Sequence, residues 1–156
     1  MESIFGKVRL RPFQARTVAQ RRFDDAKALQ KTGRNRHANG AMYLGGFVIE
    51  CLLKARLLKK HKWLQSPTVI RHPSANQAEL LRLCYQSHDL EKILTRLPEV
   101  SEGLRVAEQR GSGRLNQSLK KVCTWTVYAR YSPYDATMAE ASRFLNQIEE
   151  LKRWLS

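Results

Sequence analysis

Thirteen consecutive residues, Ala41 to Leu53, carry one charged side chain, Glu50, and are apolar on nearly every face of a helix. A helix without a solvated side has to be enclosed by others, so this segment reads as the central helix of a bundle, over roughly residues 40–62. Gly45 and Gly46 fall inside it, each costing about 1 kcal/mol relative to Ala in a helix interior, an expense that a neighbour packed against the bare backbone would offset. A membrane-crossing helix needs roughly 18 to 20 uninterrupted apolar residues, and this run is shorter and broken by Glu50.

The flanking sequence supplies the enclosing helices. Ala19, Phe23, Ala26 and Leu29 recur at helical spacing after a Thr17/Gln20 capping box, and Gly33 stops that helix. Residues 1–16 read as an extended basic arm, because Pro12 interrupts a continuous helix, and residues 17–156 as the bundle. Asn35 or Asn39 is suited to cap the second helix. After a proline-bearing linker, Ser74/Gln77 open a short helix with Ala78, Leu81 and Cys84 on its apolar face. Ser87 is placed to cap a segment bearing Leu90, Ile93, Leu94 and Leu97, which Pro98 ends, and Glu102 to Gln109 allows one or two further turns. Beyond the break at Gly111 and Gly113 the spacing predicts helices over Arg114–Tyr131 and Ala136–Leu155, the last with a Thr137/Glu140 capping box. No segment alternates as a strand does, so the expected fold is an all-α, up-and-down antiparallel bundle of five to six helices.

The formal charge of +14 is unevenly spread: residues 1–72 hold 16 basic and 4 acidic side chains, residues 73–156 hold 12 and 10. A concentrated positive field favours polyanions, chiefly nucleic acid, although basic surfaces also serve solubility alone. Cys51, Cys84 and Cys123 form neither a CxxC pair nor an even disulfide set, and they read as core thiols of a reducing compartment. The absence of an apolar leader near Met1 makes an intracellular, cytoplasmic location the expectation. His37, His61, His72 and His88 show no metal-ligand spacing, and phosphate-loop and nucleophile-elbow motifs are missing, so no metal or cofactor is expected.

The run Arg22-Phe-Asp-Asp-Ala-Lys-Ala-Leu29, then Gly33-Arg34, then Gly40 to Ala55 resembles the two-helix signature of HEPN-domain proteins. Its most specific part is Tyr43, Leu44, Gly45, Glu50, Leu53, Lys54 and Ala55; His88-Asp89-Leu90 and the Trp125 to Tyr131 segment extend the likeness over most of residues 17–155. The resemblance implies a homodimeric helical bundle in a toxin–antitoxin, defence or RNA-processing setting, beside a nucleotidyltransferase-type antitoxin. Many members are metal-independent ribonucleases, with an Arg and, four to six residues on, a His before the last helix, two copies meeting across the dimer. Arg130 stands in that place here, but no histidine follows it. The same spacing at Arg56/His61 and Arg82/His88 carries no weight, since chance supplies about one such match in a chain this rich in arginine.

Several side chains remain as candidates, each with a plain structural alternative. Glu50 and Lys54 are spaced for an ion pair, while Lys54 is also suited to hold a phosphate that Glu50 orients. Arg34 and Arg36 precede the central helix, where phosphate can meet its N-terminal amides. Lys59, Lys60 and Lys62 form the densest basic cluster, fit for RNA backbone contact or for balancing a helix dipole. Arg130 with Tyr131 and Tyr134 offers a cation beside rings that stack on bases. His88 is either a hydrogen-bonded structural histidine or, with Arg130, half of a nonstandard nuclease pair. Three functions stay open: a binder of RNA or nucleotide phosphate, a ribonuclease toxin, and a non-catalytic protein-interaction module.

Overall fold

A computed structural model describes residues 10–65, 70–111, 113–125, 129 and 131–156. The described residues are helical with no strand: α1 (Pro12–Lys31), α2 (Ala38–Lys60), α3 (Ala75–Tyr85), α4 (Leu90–Thr95), α5 (Pro98–Gln109), α6 (Leu115–Cys123) and α7 (Met138–Leu155), with 3-10 turns at Asn35–His37 and Lys62–Gln65. The all-α bundle expected from the sequence is thus present, with seven α-helices among the described residues.

The enclosure of α2 follows from its composition. It packs against α1, α7, α4 and α3, and α6 lies against both α5 and α7. Ala15, Ala19 and Ala26 of α1 are buried with Ala38 and Ala41 of α2, small side chains that let the two helices run close together after a short polar turn. Both α2 glycines are covered. A Cβ on Gly45 would lie 2.8 Å from Leu145 Cδ2 of α7, and one on Gly46 would overlap the Trp125 indole ring.

Two prolines act oppositely to the sequence expectation. Pro12 opens α1, so residues 12–16 are helical and any extended arm is shorter; Arg11 N–H donates to Gln14 Oε1 at 2.8 Å. Pro98 likewise starts α5, which runs to Gln109 and exceeds the one or two turns expected. The reason is common to both: the first helical position needs no N–H donor and suits proline's fixed φ. Thr17 therefore lies inside α1, its hydroxyl donating to Phe13 O at 3.0 Å, and Gln20 turns to Asp24.

The Ser74/Gln77 and Thr137/Glu140 capping boxes form as predicted. The buried face of α3 is shifted to Leu80, Leu83 and Cys84, with Ala78 exposed. Asp89 rather than Ser87 caps α4, accepting from Lys92 N–H at 3.0 Å, while Ser87 Oγ accepts from Asp89 N–H. α6 ends at Cys123, short of the expected Tyr131; residues 126–128 and 130 lie outside the described residues.

Gly46 yields a stability prediction. Gly46→Ala should lower the urea midpoint by the equivalent of about 2 kcal/mol through overpacking against Trp125, outweighing the roughly 1 kcal/mol that Ala contributes to a helix interior. An unchanged or higher midpoint would show that the indole yields freely.

Candidate functional site

One stripe of α2 carries the polar chemistry. Glu50, 3% exposed, is the single buried carboxylate among the described residues. A buried carboxylate must be compensated, and here two groups do so. Lys54, one turn on, places Nζ 2.7 Å from Glu50 Oε1, and His88, from the turn before α4, places Nδ1 3.0 Å from Oε2 and 3.1 Å from Oε1. Lys54 is only 12% exposed, so its charge is committed to Glu50 and not presented to a phosphate. The ion pair expected from the spacing is present; the histidine that completes it comes from 38 residues away.

The bond to Glu50 orients His88. A carboxylate at Nδ1 selects the tautomer with its proton there, leaving Nε2 with a lone pair, the arrangement of a histidine general base. The His88 side chain is 41% exposed, and Nε2 makes no hydrogen bond among the described residues. The expected partner Arg130 lies outside the described residues.

Aromatic contacts connect this cluster to a cavity. His88 meets Phe47 edge-on with centroids 5.7 Å apart; Phe47 meets Trp125 at 5.0 Å and Tyr43 at 4.9 Å. Trp125 in turn lines a cavity of about 440 Å³ between the start of α2, the end of α6 and the approach to α7. Its apolar wall includes Met42, Trp125 and Phe144; Asn39, Lys121, Tyr134 and Asp135 supply polar edges. Lys121 and Asp135 have no ion pair among the described residues, whereas Glu140 is engaged with Thr137, whose N–H and hydroxyl hold its carboxyl below the usual range. Trp125 Nε1 is buried without a hydrogen-bond partner among the described residues.

Asn39, in the first turn of α2, borders this cavity. Asn39 Oδ1 accepts from Ala136 N–H and Asn39 Nδ2 donates to Tyr134 O, both at 2.8 Å; Asn35 Oδ1 accepts from Met138 N–H at 2.9 Å. Neither asparagine caps α2 through its side chain, as had been expected; both tie down the segment leading into α7. Arg34 and Arg36 flank Asn35 and are exposed, with Arg36 Nε 3.2 Å from His37 Nε2. Tyr131 and Tyr134 are 67% and 82% exposed in the same region.

The predicted cations do not form one surface. Lys59 and Lys60 belong to the far end of α2, about 33 Å along the helix axis from its start, and Lys62 to the 3-10 turn beyond it. Lys60 is engaged with Glu99 at 2.9 Å and the Arg96 carbonyl at 3.0 Å, while Lys59 and Lys62 are exposed. His61 adds little charge at neutral pH, since burial and the adjacent Lys60 hold its imidazole below the usual histidine range. The cysteines offer no nucleophile either: burial pushes the Cys51 and Cys84 thiols up to about 11 and Cys123 to about 12. No group of three metal-ligating side chains occurs among the described residues.

Lys121 and the Glu50/His88 pairing carry no sequence signal, while Asn39 is marked by sequence only as a cap and Trp125 only as the start of a HEPN-like segment. Gly46 signalled a close neighbour without naming Trp125. Set against family models, curated proteins and solved structures, the chain finds no match in any of the three comparisons.

Removing the buried carboxylate tests the cluster. Glu50→Ala would leave the Lys54 ammonium largely buried without its counter-charge and should cost about 3–5 kcal/mol in urea unfolding, with Glu50→Gln/Lys54→Met recovering much of the loss. A cost below about 1 kcal/mol for Glu50→Ala would show that water already solvates the pair.

Proposed function

We propose that this chain is a HEPN-type helical bundle that binds RNA or a nucleotide at the cavity between α2, α6 and α7. The carrying observation is the cavity: rings of Trp125, Phe144 and Tyr134 stand beside Lys121, which is unpaired among the described residues, and Arg34 and Arg36 belong to the turn that precedes its lining residue Asn39. Planar bases stack on such rings, and cations outside them neutralise phosphate. The HEPN-like signature adds a homodimer in the cytoplasm, working beside a nucleotidyltransferase-type antitoxin in a toxin–antitoxin or defence system. No helix among the described residues is long and apolar enough to cross a membrane.

Fluorescence anisotropy with a short labelled RNA tests this reading. Three phosphate contacts on a single strand would lower affinity about twentyfold between roughly 50 and 200 mM salt. Tyr134→Ala should weaken binding by about 1–3 kcal/mol if it stacks on a base, and Lys121→Ala should reduce the salt slope by about 0.7. Lys59→Ala and Lys62→Ala, at the far end of α2, should change little. Undetectable binding at low salt would sink the proposal.

A second reading, a metal-independent ribonuclease, is favoured by the hold of Glu50 on His88 Nδ1. In it His88 Nε2 accepts the proton of a ribose 2′-hydroxyl, whose oxygen attacks the adjacent phosphorus; the bond from phosphorus to the 5′-oxygen breaks, that oxygen leaves with a proton from solvent, a 2′,3′-cyclic phosphate remains, and Arg130 offsets the charge gathering on the phosphate. His88→Ala and Arg130→Ala should each lower cleavage about a hundredfold or more. Cleavage at the wild-type rate in both variants would dispose of it.

A further inference from the structure

The segment just before α7 differs from the rest of the bundle in what holds it. At one end Ser132 N–H donates to Ala129 O, and at the other Thr137 is locked into the α7 capping box with Glu140. Between these anchors Pro133 has no N–H, and Tyr134 N–H reaches only Ser132 Oγ, at 3.2 Å. Among the described residues, the hydrogen bonds tying residues 133–136 to another element are the two made by Asn39. Asn35 adds one at Met138, just inside α7. Tyr134 projects into solvent, and of the side chains at 133–136 the small Ala136 packs, partly buried, against the core.

This segment is also a wall of the cavity. Ser132, Tyr134, Asp135 and Ala136 line it opposite Met42, Trp125 and Phe144, and Asn39 lines it as well. One amide therefore fastens the wall and faces the space behind it. We infer that residues 132–137 form a gate over the Trp125 cavity and that Asn39 is its latch, released when the amide exchanges the Tyr134 carbonyl and Ala136 N–H for another donor and acceptor pair. A backbone held through side-chain amides opens locally without unfolding the helices, because breaking two such bonds exposes no core helix face. A ligand edge carrying an acceptor next to a donor can replace the Tyr134 carbonyl and the Ala136 N–H as partners of the Asn39 amide. The latch concerns access to the cavity; only the identity of what enters rests on the nucleotide reading.

Two measurements on the full chain test the gate. Native-state hydrogen exchange should show Ala136 N–H opening through a sub-global route, accelerated about tenfold by Asn39→Ala, while Leu52 and Leu53 amides in α2 keep their protection. Asn39→Asp, which retains the acceptor for Ala136 but loses the donor to Tyr134, should give a smaller increase and covers the case in which Asn39→Ala does not fold. Acrylamide quenching of Trp125, isolated by Trp63→Phe and Trp154→Phe, should rise about threefold in the Asn39→Ala background, since the indole is shielded in the native chain. Exchange at Ala136 that follows only global unfolding, or Trp125 shielded equally in both backgrounds, would overturn the gate. Titration with AMP separates the two proposals: greater exchange and quenching without AMP binding keeps the gate and removes the nucleotide, whereas AMP binding with no change at Ala136 or Trp125 removes the gate and keeps the nucleotide.

Discussion

A carboxylate enclosed in the chain's most apolar helix dictates much of what surrounds it. Glu50 accepts from Lys54, a local consequence of a four-residue spacing, and bonds to His88, which is a tertiary demand. That demand sets where the turn between α3 and α4 meets α2. Three consecutive residues then divide the work: Ser87 holds the Asp89 amide, His88 meets Glu50, and Asp89 caps α4. An apolar side chain at position 50 would pack with less desolvation cost, yet it would not fix this register.

The same helix was legible as central because its composition left no solvated face, and the local caps at Ser74 and Thr137 were legible because donor and acceptor lie three residues apart. Pro12 and Pro98 were misplaced for a physical reason. Proline terminates a helix by lacking a donor and begins one by the same lack, and sequence spacing alone does not separate the two. The two asparagines before and at the start of α2 were opaque for another reason. Asn35 and Asn39 sit where a cap is expected, but the backbone groups they satisfy lie 95 to 103 residues away. Likewise two glycines predicted close neighbours, and only the packed structure assigns α7 to Gly45 and Trp125 to Gly46.

Structure also divides the basic field. Of the cations that sequence offers as phosphate-binding candidates, Lys54 is used by Glu50 and Lys60 by Glu99 and the Arg96 carbonyl. Lys59 and Lys62 remain exposed at one end of α2, and Arg34 and Arg36 at the other. What distinguishes the second end is a cavity with aromatic walls that Asn39 of α2 and Lys121 of α6 both line.

The geometry of α2 also sets the spacing between the cavity and the buried cluster. Asn39 borders the cavity and Glu50 holds His88 eleven residues later, about 16 Å along the helix axis. The rings shorten that gap: Trp125, which lines the cavity, meets Phe47 with centroids 5.0 Å apart, and Phe47 meets His88 at 5.7 Å. One aromatic side chain thus separates the cavity wall from the imidazole. On the reading proposed above, the ring that would receive a base and the group that would accept a proton belong to one surface and not two, a relation that composition and charge do not contain.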